Sequence, residues 1–539
     1  MKKFSDKVIY QIYPKSFYDS DGDGLGDLRG VTAKLDYLRD LGVDTLWLTP
    51  FFPSPQRDNG YDVADYTAID PQFGTMADLE ELIAQADKRG IGLMLDMVFN
   101  HTSTAHEWFQ RALAGDKTYQ DYYIFRDGTP DVLPTNWVSK FGGPAWEYLP
   151  ELGKWYLHLF DVTQADLNWE NPAVREELKK VLRFWKSKGV KGFRFDVVNL
   201  ISKPAVFEDD HEGDGRRFYT DGRHVHEFLK ELVRDTGLEE NVTVGEMSST
   251  SLDNCVRYTA PEEHELSMCF SFHHLKVDYK NGDKWALMPP DRQALKDLLA
   301  VWQEEMQAHH GWNALFWCNH DQPRVVSRFG DEGEYWVQSA KMLAAAIHLM
   351  RGTPYIFQGE ELGMTNAHYR SIDQYRDVES LNYYQILLEQ GKTPAEALDI
   401  LAARSRDNGR TPMQWDFSPN AGFTTGTPWI TPPDNYRSIN AAAQMNDPDS
   451  IRSWYKMLVA LRRQEPLISD GQIEFLYRQD NRVLAYRRFD GRQELIVLCN
   501  LTADMVELPR PVGEVLLCNY PAADSALRPY ECIAVKHPL

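Results

Sequence analysis

Short apolar runs alternate with amphipathic segments along the first hundred residues of the chain. Val8–Pro14, Thr45–Pro50 and Gly92–Phe99 are largely apolar, which is typical of strands buried on both faces of a parallel sheet. Between them, Val31–Leu41 and Thr75–Arg89 carry apolar residues at helical spacing. The threonine that opens the second segment is a suitable N-cap. This order predicts a repeating strand–helix unit.

The repeat is interrupted once and then resumes. Residues 101–171 are rich in Trp, Tyr, Gly and Pro without helix–strand alternation, which indicates a subdomain inserted after strand 3. Five more strand candidates bring the total to eight, which predicts a (β/α)8 TIM barrel of the α/β class. They are Gly192–Val198, Thr243–Met247, Leu266–Phe272, Ala314–Asn319 and Pro354–Gln358, with helices at Pro172–Lys188, Tyr335–Met350 and Ile451–Arg463.

The hydrophobic period changes to two after about residue 468. Gln472–Tyr477, Val483–Arg488 and Glu494–Asn500 alternate apolar and polar residues, and turn residues separate them. We therefore expect a C-terminal antiparallel β-sandwich domain. The predicted organisation is 1–100 and 172–467 for the barrel, 101–171 for inserted subdomain B, and 468–539 for the C-terminal domain.

Composition narrows the classes of partner. The chain has 539 residues and a net charge of −22, which argues against nucleic acid and anionic membranes as partners. The six cysteines lack CxxC spacing and are sparse, so we expect reduced thiols. The N-terminus lacks the apolar core of a signal peptide, and no apolar run reaches the ~18–20 residues of a membrane span. We expect a soluble, cytoplasmic monomer.

Carboxylates occur where several predicted strands end. Asp196 and Glu246 lie in or after two apolar strands, and Asp321 follows a third. All strands of a β/α barrel point their carboxyl ends at one face, so these groups should converge there. Arg194, two residues before Asp196, should lie on the same side and keep that carboxylate ionised. Glu246 has no charged neighbour in sequence and could hold a proton.

Two carboxyl groups in different environments are what glycoside hydrolysis uses. The segments that carry them are DMVFNH (96–101), GFRFDVVN (192–199), VGEM (244–247) and NHDQ (319–322). In order and spacing they resemble the four consensus regions of the α-amylase superfamily of glycoside hydrolases. The resemblance covers essentially the whole chain. It implies a retaining α-glucoside hydrolase without an organic cofactor.

The resemblance also implies a role for each residue. Asp196 would be the nucleophile, Glu246 the general acid/base and Asp321 the stabiliser of the transition state. The other residues expected around the glucosyl unit, in subsite −1, are His101, Arg194 and His320, with Tyr61 as a stacking platform and Asp62 beside Arg406 as hydroxyl ligands.

An acidic loop near the N-terminus has a further regular spacing. Asp19, Asp21, Asp23 and Asp27 occupy positions 1, 3, 5 and 9 of a calcium-binding pattern, with a glycine at position 6. Members of the resembling family carry calcium here. The implied ligands are these four carboxylates and the carbonyl of Leu25, in a structural role.

Two features narrow the substrate. Val197 after the nucleophile is similar to the oligo-1,6-glucosidase branch of the superfamily. The stretch SFHHLKVDYKNGDKW (271–285) resembles its trehalose-6-phosphate hydrolases. That likeness implies cleavage of a small phosphorylated disaccharide, α,α-trehalose 6-phosphate, to glucose and glucose 6-phosphate. Lys276 and Lys284 in this stretch are the candidates for binding the phosphate.

Three alternatives stay open at this stage. An oligo-1,6-glucosidase would act on isomaltose-like chain ends. A sugar isomerase or transglycosylase would use the same residues and exclude water. A non-catalytic, transporter-associated relative would share the fold, although such relatives lack the three carboxylates that this chain retains.

Overall fold

A closed barrel of parallel strands forms the centre of the molecule. The computed structural model describes residues 4–521 and 526–539. The barrel strands are β1 (Ile9–Ile12), β2 (Thr45–Leu48), β3 (Gly92–Met97), β4 (Gly192–Phe195), β5 (Val242–Met247), β6 (Met268–Ser271), β7 (Ala314–Leu315) and β8 (Thr353–Phe357). All eight coincide with predicted strands; six are shorter than the apolar run that predicted them, β5 is one residue longer, and β8 has the predicted length but begins one residue earlier.

The barrel closes through a single weak seam. The eight strands form one sheet in which neighbours pair in parallel, and β1 pairs with both β2 and β8. A parallel bridge between Cys269 of β6 and Asn313, just before β7, joins the remaining edges. The carboxyl ends of all eight strands therefore meet at one face, as the β/α order predicts.

Amphipathic helices surround the barrel. The helix Met76–Asp87 begins with a capping box, in which the Thr75 hydroxyl accepts from the Asp78 amide and the Asp78 carboxylate accepts from the Thr75 amide. The other principal outer helices are Leu28–Ala33, Leu35–Leu41, Pro172–Ser187, Val225–Thr236, Leu252–Thr259, Arg292–Ala308, Trp336–His348 and Ile451–Gln464.

The first of these helices differs from the prediction. The segment predicted as Val31–Leu41 forms two helices that meet at Lys34, where the backbone leaves helical geometry. The Lys34 ammonium lies 4.0 Å from the centre of the Tyr18 ring and 4.2 Å from that of Trp415. Cation–π contacts of this kind stabilise the altered direction of the chain.

Between β3 and the helix Pro172–Ser187, the chain forms small sheets and short helices. A two-stranded pair joins His101–Ser103 to Gln164–Asp166, and a three-stranded sheet contains the remaining strands of this part. Its strands are Phe125–Asp127, Trp146–Leu149 and Lys154–Leu157, and the helices are Glu107–Leu113 and Lys117–Gln120. Buried tryptophans account for the aromatic composition of the segment.

The C-terminal part is an antiparallel sheet of five strands in the order β9-β10-β11-β13-β12. They are β9 (Gln472–Leu476), β10 (Val483–Phe489), β11 (Gln493–Asn500), β12 (Glu514–Cys518) and β13 (Cys532–Pro538). In the described residues, these strands form one sheet instead of the two stacked sheets of a sandwich. One face packs on the barrel, where the Tyr486 hydroxyl donates to the Ala346 carbonyl.

The helices of the described chain pack as parts of the folded core. No helix in the described part of the chain is both long and apolar enough to cross a bilayer. Most buried apolar side chains, from the barrel interior to the sheet β9–β13, belong to one continuous cluster.

Loop 6 (residues 272–291), which follows β6, is anchored to the barrel by a buried ion cluster. Asp278 accepts from Arg328 at 2.8 Å and also from Arg404, and all three side chains are buried. Burial raises the pKa of the Asp278 carboxyl, but the two guanidinium groups outweigh it and hold that pKa below its usual value. The position of loop 6 therefore depends on Asp278.

We expect Asp278→Ala to lower the free energy of unfolding by about 3–5 kcal/mol, because it leaves two buried arginines without their carboxylate. Urea unfolding at neutral pH measures the change. Asp297→Ala is the matched control, since Asp297 is exposed on the neighbouring helix and should alter stability by less than about 0.5 kcal/mol. Equal effects of the two substitutions would contradict the anchoring role.

Candidate active site

A cavity of about 220 Å³ opens at the carboxyl ends of the barrel strands. Asp196 directly follows β4, Glu246 lies in β5 and Asp321 comes after β7, so different strands deliver the three carboxylates to one place. The cavity is lined by Asp58, Tyr61, His101, Phe141, Phe160, Asp196, Val197, Glu246, Ser248, Ser249, Phe272, Leu275, Lys276, Tyr279, Lys284, Asp321, Gln322, Glu379 and Arg406.

Arg194 lies beneath the floor of the cavity and contacts three carboxyl groups. Its Nη1 donates to Asp96 at 2.7 Å and to Asp196 at 2.6 Å, and its Nη2 donates to Glu246. The side chain is 1% exposed. Such buried, charge-assisted bonds fix the orientation of the acceptor carboxylates.

Glu246 differs electrostatically from its neighbour Asp196. Burial raises the pKa of the Glu246 carboxyl well above its ordinary value, and the lowering effect of Arg194 does not cancel it. The adjacent Asp196 raises that pKa further through its charge and a hydrogen bond between the two side chains. Glu246, whose burial favours the protonated form, thus lies beside the Asp196 carboxyl, which Arg194 binds directly.

The residue after Asp196 has a strained backbone. Val197 has φ of 34°, in the left-handed region that β-branched residues rarely adopt. Its side chain lines the cavity beside Asp196. This turn ends β4 and leads into the short helix Val198–Leu200, so the strain holds the carboxylate at the strand end.

Asp321 is held by cations on its outer side. Arg410 Nη2 lies 2.7 Å from its Oδ1, and Arg406 Nη1 lies 3.4 Å from the same oxygen. His320 Nε2 is 3.2 Å from Oδ2. Burial opposes ionisation, but these neighbours hold the pKa of Asp321 well below its ordinary value. Asp321 is therefore held firmly in its ionised form.

Aromatic and imidazole rings form the inner wall. Tyr61 stacks on His320 with ring centres 5.1 Å apart, and its hydroxyl donates to Asp96 at 2.9 Å. His101 Nε2 lies 3.1 Å from the Tyr61 carbonyl oxygen. Tyr61 and His101 line the cavity, whereas His320 is fully buried behind Tyr61 and touches Asp321.

The structure corrects the position expected for Asp62. Arg406 pairs with Asp58, at 2.9 Å, and not with Asp62. Asp62 is fully buried, and its carboxylate accepts from the backbone amides of Arg57 and Asp58 and from the Ser54 hydroxyl. Asp62 thus shapes the loop that presents Asp58 to the cavity. Both aspartates lie in DNGYD, and no sequence signal distinguished them.

The two lysines of loop 6 have different surroundings. Lys276 is exposed and lines the cavity, and within the described residues its ammonium has no carboxylate partner. Lys284 also lines the cavity, but it donates to Glu379 at 2.6 Å. The charge of Lys284 is therefore largely balanced. Glu379 comes from the helix Val378–Glu389, whose sequence gave no indication of this contact.

The acidic loop brings three of its four aspartates together. One carboxylate oxygen from each of Asp19, Asp21 and Asp27 lies within 4.8 Å of the others. Asp23 does not join this group, and its Oδ1 accepts from the Leu25 amide at 2.8 Å. Gly24 has φ of 98°, and a Cβ there would collide with the Thr427 carbonyl, so the loop requires glycine at this position.

Comparisons with known proteins agree with this geometry. The trehalose-6-phosphate hydrolase of Escherichia coli (strain K12) is 56% identical, over 98% of this chain and 97% of the relative. An oligo-1,6-glucosidase of Parageobacillus thermoglucosidasius is 46% identical, over 99% and 98%. The crystal structure of Bacillus licheniformis trehalose-6-phosphate hydrolase superposes with a TM-score of 0.94 at 53% identity, covering 99% of each chain.

The family model described as the alpha-amylase catalytic domain matches residues 11–471. That range contains the barrel except for the first two residues of β1, the inserted segment and every carboxylate of the cavity. The chain therefore belongs to the α-amylase family of glycoside hydrolases.

Proposed function

We propose that the protein hydrolyses α,α-trehalose 6-phosphate to glucose and glucose 6-phosphate with retention at the anomeric carbon. The observation that carries this proposal is the presence, in one cavity, of three carboxylates and the ammonium of Lys276, which has no carboxylate partner among the described residues. Carboxylates cleave the glycosidic bond, and an unpaired cation suits a phosphate group. Two similar relatives are named for this activity.

The first chemical step uses Asp196 and Glu246. The Asp196 carboxylate attacks the anomeric carbon, and the bond from that carbon to the bridging oxygen breaks. Glu246 donates its proton to this oxygen, so glucose 6-phosphate leaves as a neutral alcohol at that position. Burial of Glu246 supports this role, because it raises the pKa of the carboxyl well above its ordinary value and so favours the protonated form.

The second step reverses the roles. Glu246, now a carboxylate, takes a proton from water, and the water oxygen attacks the anomeric carbon and releases Asp196. Two inversions give net retention. The hydrogen bond between Asp196 and Glu246 supports this route, because inverting enzymes separate their carboxyls by roughly 6.5–9.5 Å to admit water.

Asp321 and Arg194 would act through their charges and would transfer no proton. Positive charge develops on the sugar ring in both transition states, and the firmly ionised Asp321 would stabilise it. Arg194 donates a hydrogen bond to Asp196 at 2.6 Å and would hold it oriented for attack. Asp58, with Arg406 bound to it at 2.9 Å, would accept hydroxyls of the glucosyl unit on the inner side. Tyr61 would stack on its apolar face, with His101 beside it.

The phosphorylated unit would occupy the outer part of the cavity. Loop 6 supplies Lys276 there, while Lys284 is held by Glu379 and so contributes less net charge.

A second candidate function, oligo-1,6-glucosidase, is favoured by Val197 at the cavity and by the 46% identical relative. Product analysis with trehalose 6-phosphate, trehalose and isomaltose separates the two; faster cleavage of isomaltose would overturn the first proposal.

We also propose a structural calcium ion at the acidic loop. The donors fit, because three carboxylate oxygens converge within 4.8 Å and calcium prefers oxygen ligands. No lysine or arginine of the described chain pairs with these aspartates to balance their charge. Asp19, Asp21 and Asp27 would hold the ion and clamp the loop that follows β1.

We further propose that the enzyme is cytoplasmic and monomeric. The six cysteines form no disulfide, which supports a reducing compartment.

We expect Glu246→Gln to lower kcat for trehalose 6-phosphate by about 10²–10⁴-fold, because its leaving oxygen needs a proton. A 2,4-dinitrophenyl α-glucoside, whose leaving group needs no acid, should still form the glucosyl-enzyme and give a burst of dinitrophenol. Rapid-mixing kinetics measure both. Asp196→Asn is the matched variant, and it should remove the burst as well as turnover.

The pH profile gives a second check on Glu246. The acid form is active, so kcat/KM of the wild-type enzyme should fall as the pH rises through the raised pKa of Glu246. This alkaline limb should be absent for Glu246→Gln acting on the dinitrophenyl substrate. Persistence of the same limb in the variant would contradict the assignment.

We expect Lys276→Ala to raise KM for trehalose 6-phosphate by about 10- to 100-fold, because one charged hydrogen bond to phosphate is lost. Hydrolysis of 4-nitrophenyl α-glucoside, which carries no phosphate, should change by less than about twofold. Steady-state kinetics decide between these outcomes. Equal losses on both substrates would reject the role in phosphate binding.

We expect added Ca²⁺ to raise the melting temperature of chelator-treated protein, because the ion binds only the folded loop. Asp21→Ala should abolish this rise, whereas Asp23→Ala should retain it, since Asp23 lies outside the group of three carboxylates. Differential scanning calorimetry measures both. An unchanged melting temperature of the wild-type protein at millimolar Ca²⁺ would exclude the site.

A further inference from the structure

Three cationic side chains from separate parts of the chain lie close enough to influence one another's charge, and one of them, Lys276, lines the cavity. Lys140 belongs to the inserted segment, Arg216 to the short helix Arg216–Tyr219, and Lys276 to loop 6. Burial, together with the charges of Arg216 and Lys276, lowers the pKa of Lys140 to about 7. Although much of the Lys276 side chain is exposed, its ammonium is partly shielded from water, and this shielding, followed by the charge of Arg216, lowers the pKa of Lys276. We call these three residues the cationic rim.

The backbone around Lys140 is fixed against the cavity wall. The Lys140 amide donates to the Leu159 carbonyl at 2.8 Å, and the next residue, Phe141, lines the cavity. The Val138 amide donates to the Asp214 carbonyl at 3.1 Å, which joins the segment of Lys140 to the segment of Arg216. The position of Lys140 beside the cavity is therefore set by main-chain contacts.

The cationic rim has more positive than negative charge. Arg216 binds the Asp214 carboxylate through Nε, at 2.9 and 3.0 Å, and through Nη2. Within the described residues, the ammonium groups of Lys140 and Lys276 have no carboxylate partner. Two ammonium groups held close together repel each other, and a bound anion relieves this repulsion. A phosphate monoester, with a charge of about −1.5 to −2, would balance the two lysines.

We propose that Lys140, supported by Arg216, completes the binding site for the phosphate group of the substrate opposite Lys276. This inference rests on the proposed function and adds a residue that determines specificity. The inserted segment thus contributes to recognition of the phosphorylated sugar together with loop 6. In this site the ammonium groups of Lys140 and Lys276 bind the phosphate from two sides.

The protonation of Lys140 gives this site a pH signature. The charged groups that face Lys140 are Arg216, Asp214 and Lys276, and the Tyr219 ring centre lies 5.5 Å from its ammonium. Lys140 loses its charge as the pH rises through about 7, so phosphate binding should weaken above that pH. A bound dianion favours the ammonium form, so binding near neutral pH should take up protons.

The test compares Lys140→Met, Lys140→Arg and Arg216→Gln in the full chain, with trehalose 6-phosphate and 4-nitrophenyl α-glucoside as substrates. Lys140→Met should raise KM for the phosphorylated sugar about tenfold, leave its kcat unchanged and leave the aryl glucoside within about twofold. Arg216→Gln should raise the same KM less. Lys140→Arg should restore the low KM and remove its rise above pH 7, because guanidinium stays charged.

Matched controls come from neighbouring exposed cations. Lys280→Met changes an exposed residue of loop 6. Arg217→Gln changes a residue that pairs with Asp210 and Glu212. Neither should alter either KM. If the wild-type enzyme cleaves trehalose 6-phosphate no better than trehalose, the proposed function fails. If it prefers the phosphorylated sugar but Lys140→Met leaves KM and its pH dependence unchanged, only the role of Lys140 is overturned.

Discussion

The site depends on the contact of one guanidinium with three buried carboxyl groups. A single positive charge cannot balance three negative ones in a poorly solvated place, so the carboxyls must differ in protonation. Arg194 binds Asp96, Asp196 and Glu246, and burial raises the pKa of Glu246 well above its ordinary value. The difference between the proposed nucleophile and the proposed acid would therefore arise from shared burial around one cation. The parallel barrel makes this possible, because it delivers each group from a different strand.

Much of the fold could be predicted from the sequence because burial leaves a strong periodic signal. Eight apolar runs gave the eight barrel strands, and Thr75 gave the start of its helix. The ends were less certain, since backbone pairing, and not hydrophobicity, decides where a strand such as β7 stops. The break at Lys34 depends on aromatic rings from distant parts of the chain, which no local pattern contains.

The centre of the site was more predictable than its edges. Asp196, Glu246 and Asp321 lie at strand ends whose direction follows from the topology. Loop residues have no such rule: Asp58 and Asp62 are four residues apart in one turn, and only tertiary contacts place Asp58 against Arg406. The pairing of Lys284 with Glu379 likewise joins segments that are remote in sequence.

The buried cluster around Asp278 bears on how substrate preference can change within this family. Loop 6 carries Lys276 two residues before Asp278, and its shape depends on Arg328 and Arg404 from two other helices. In a barrel that lacked these two arginines, loop 6 would bury an aspartate without its cations. Transfer of the loop with its shape intact therefore requires Arg328 and Arg404 to accompany Asp278.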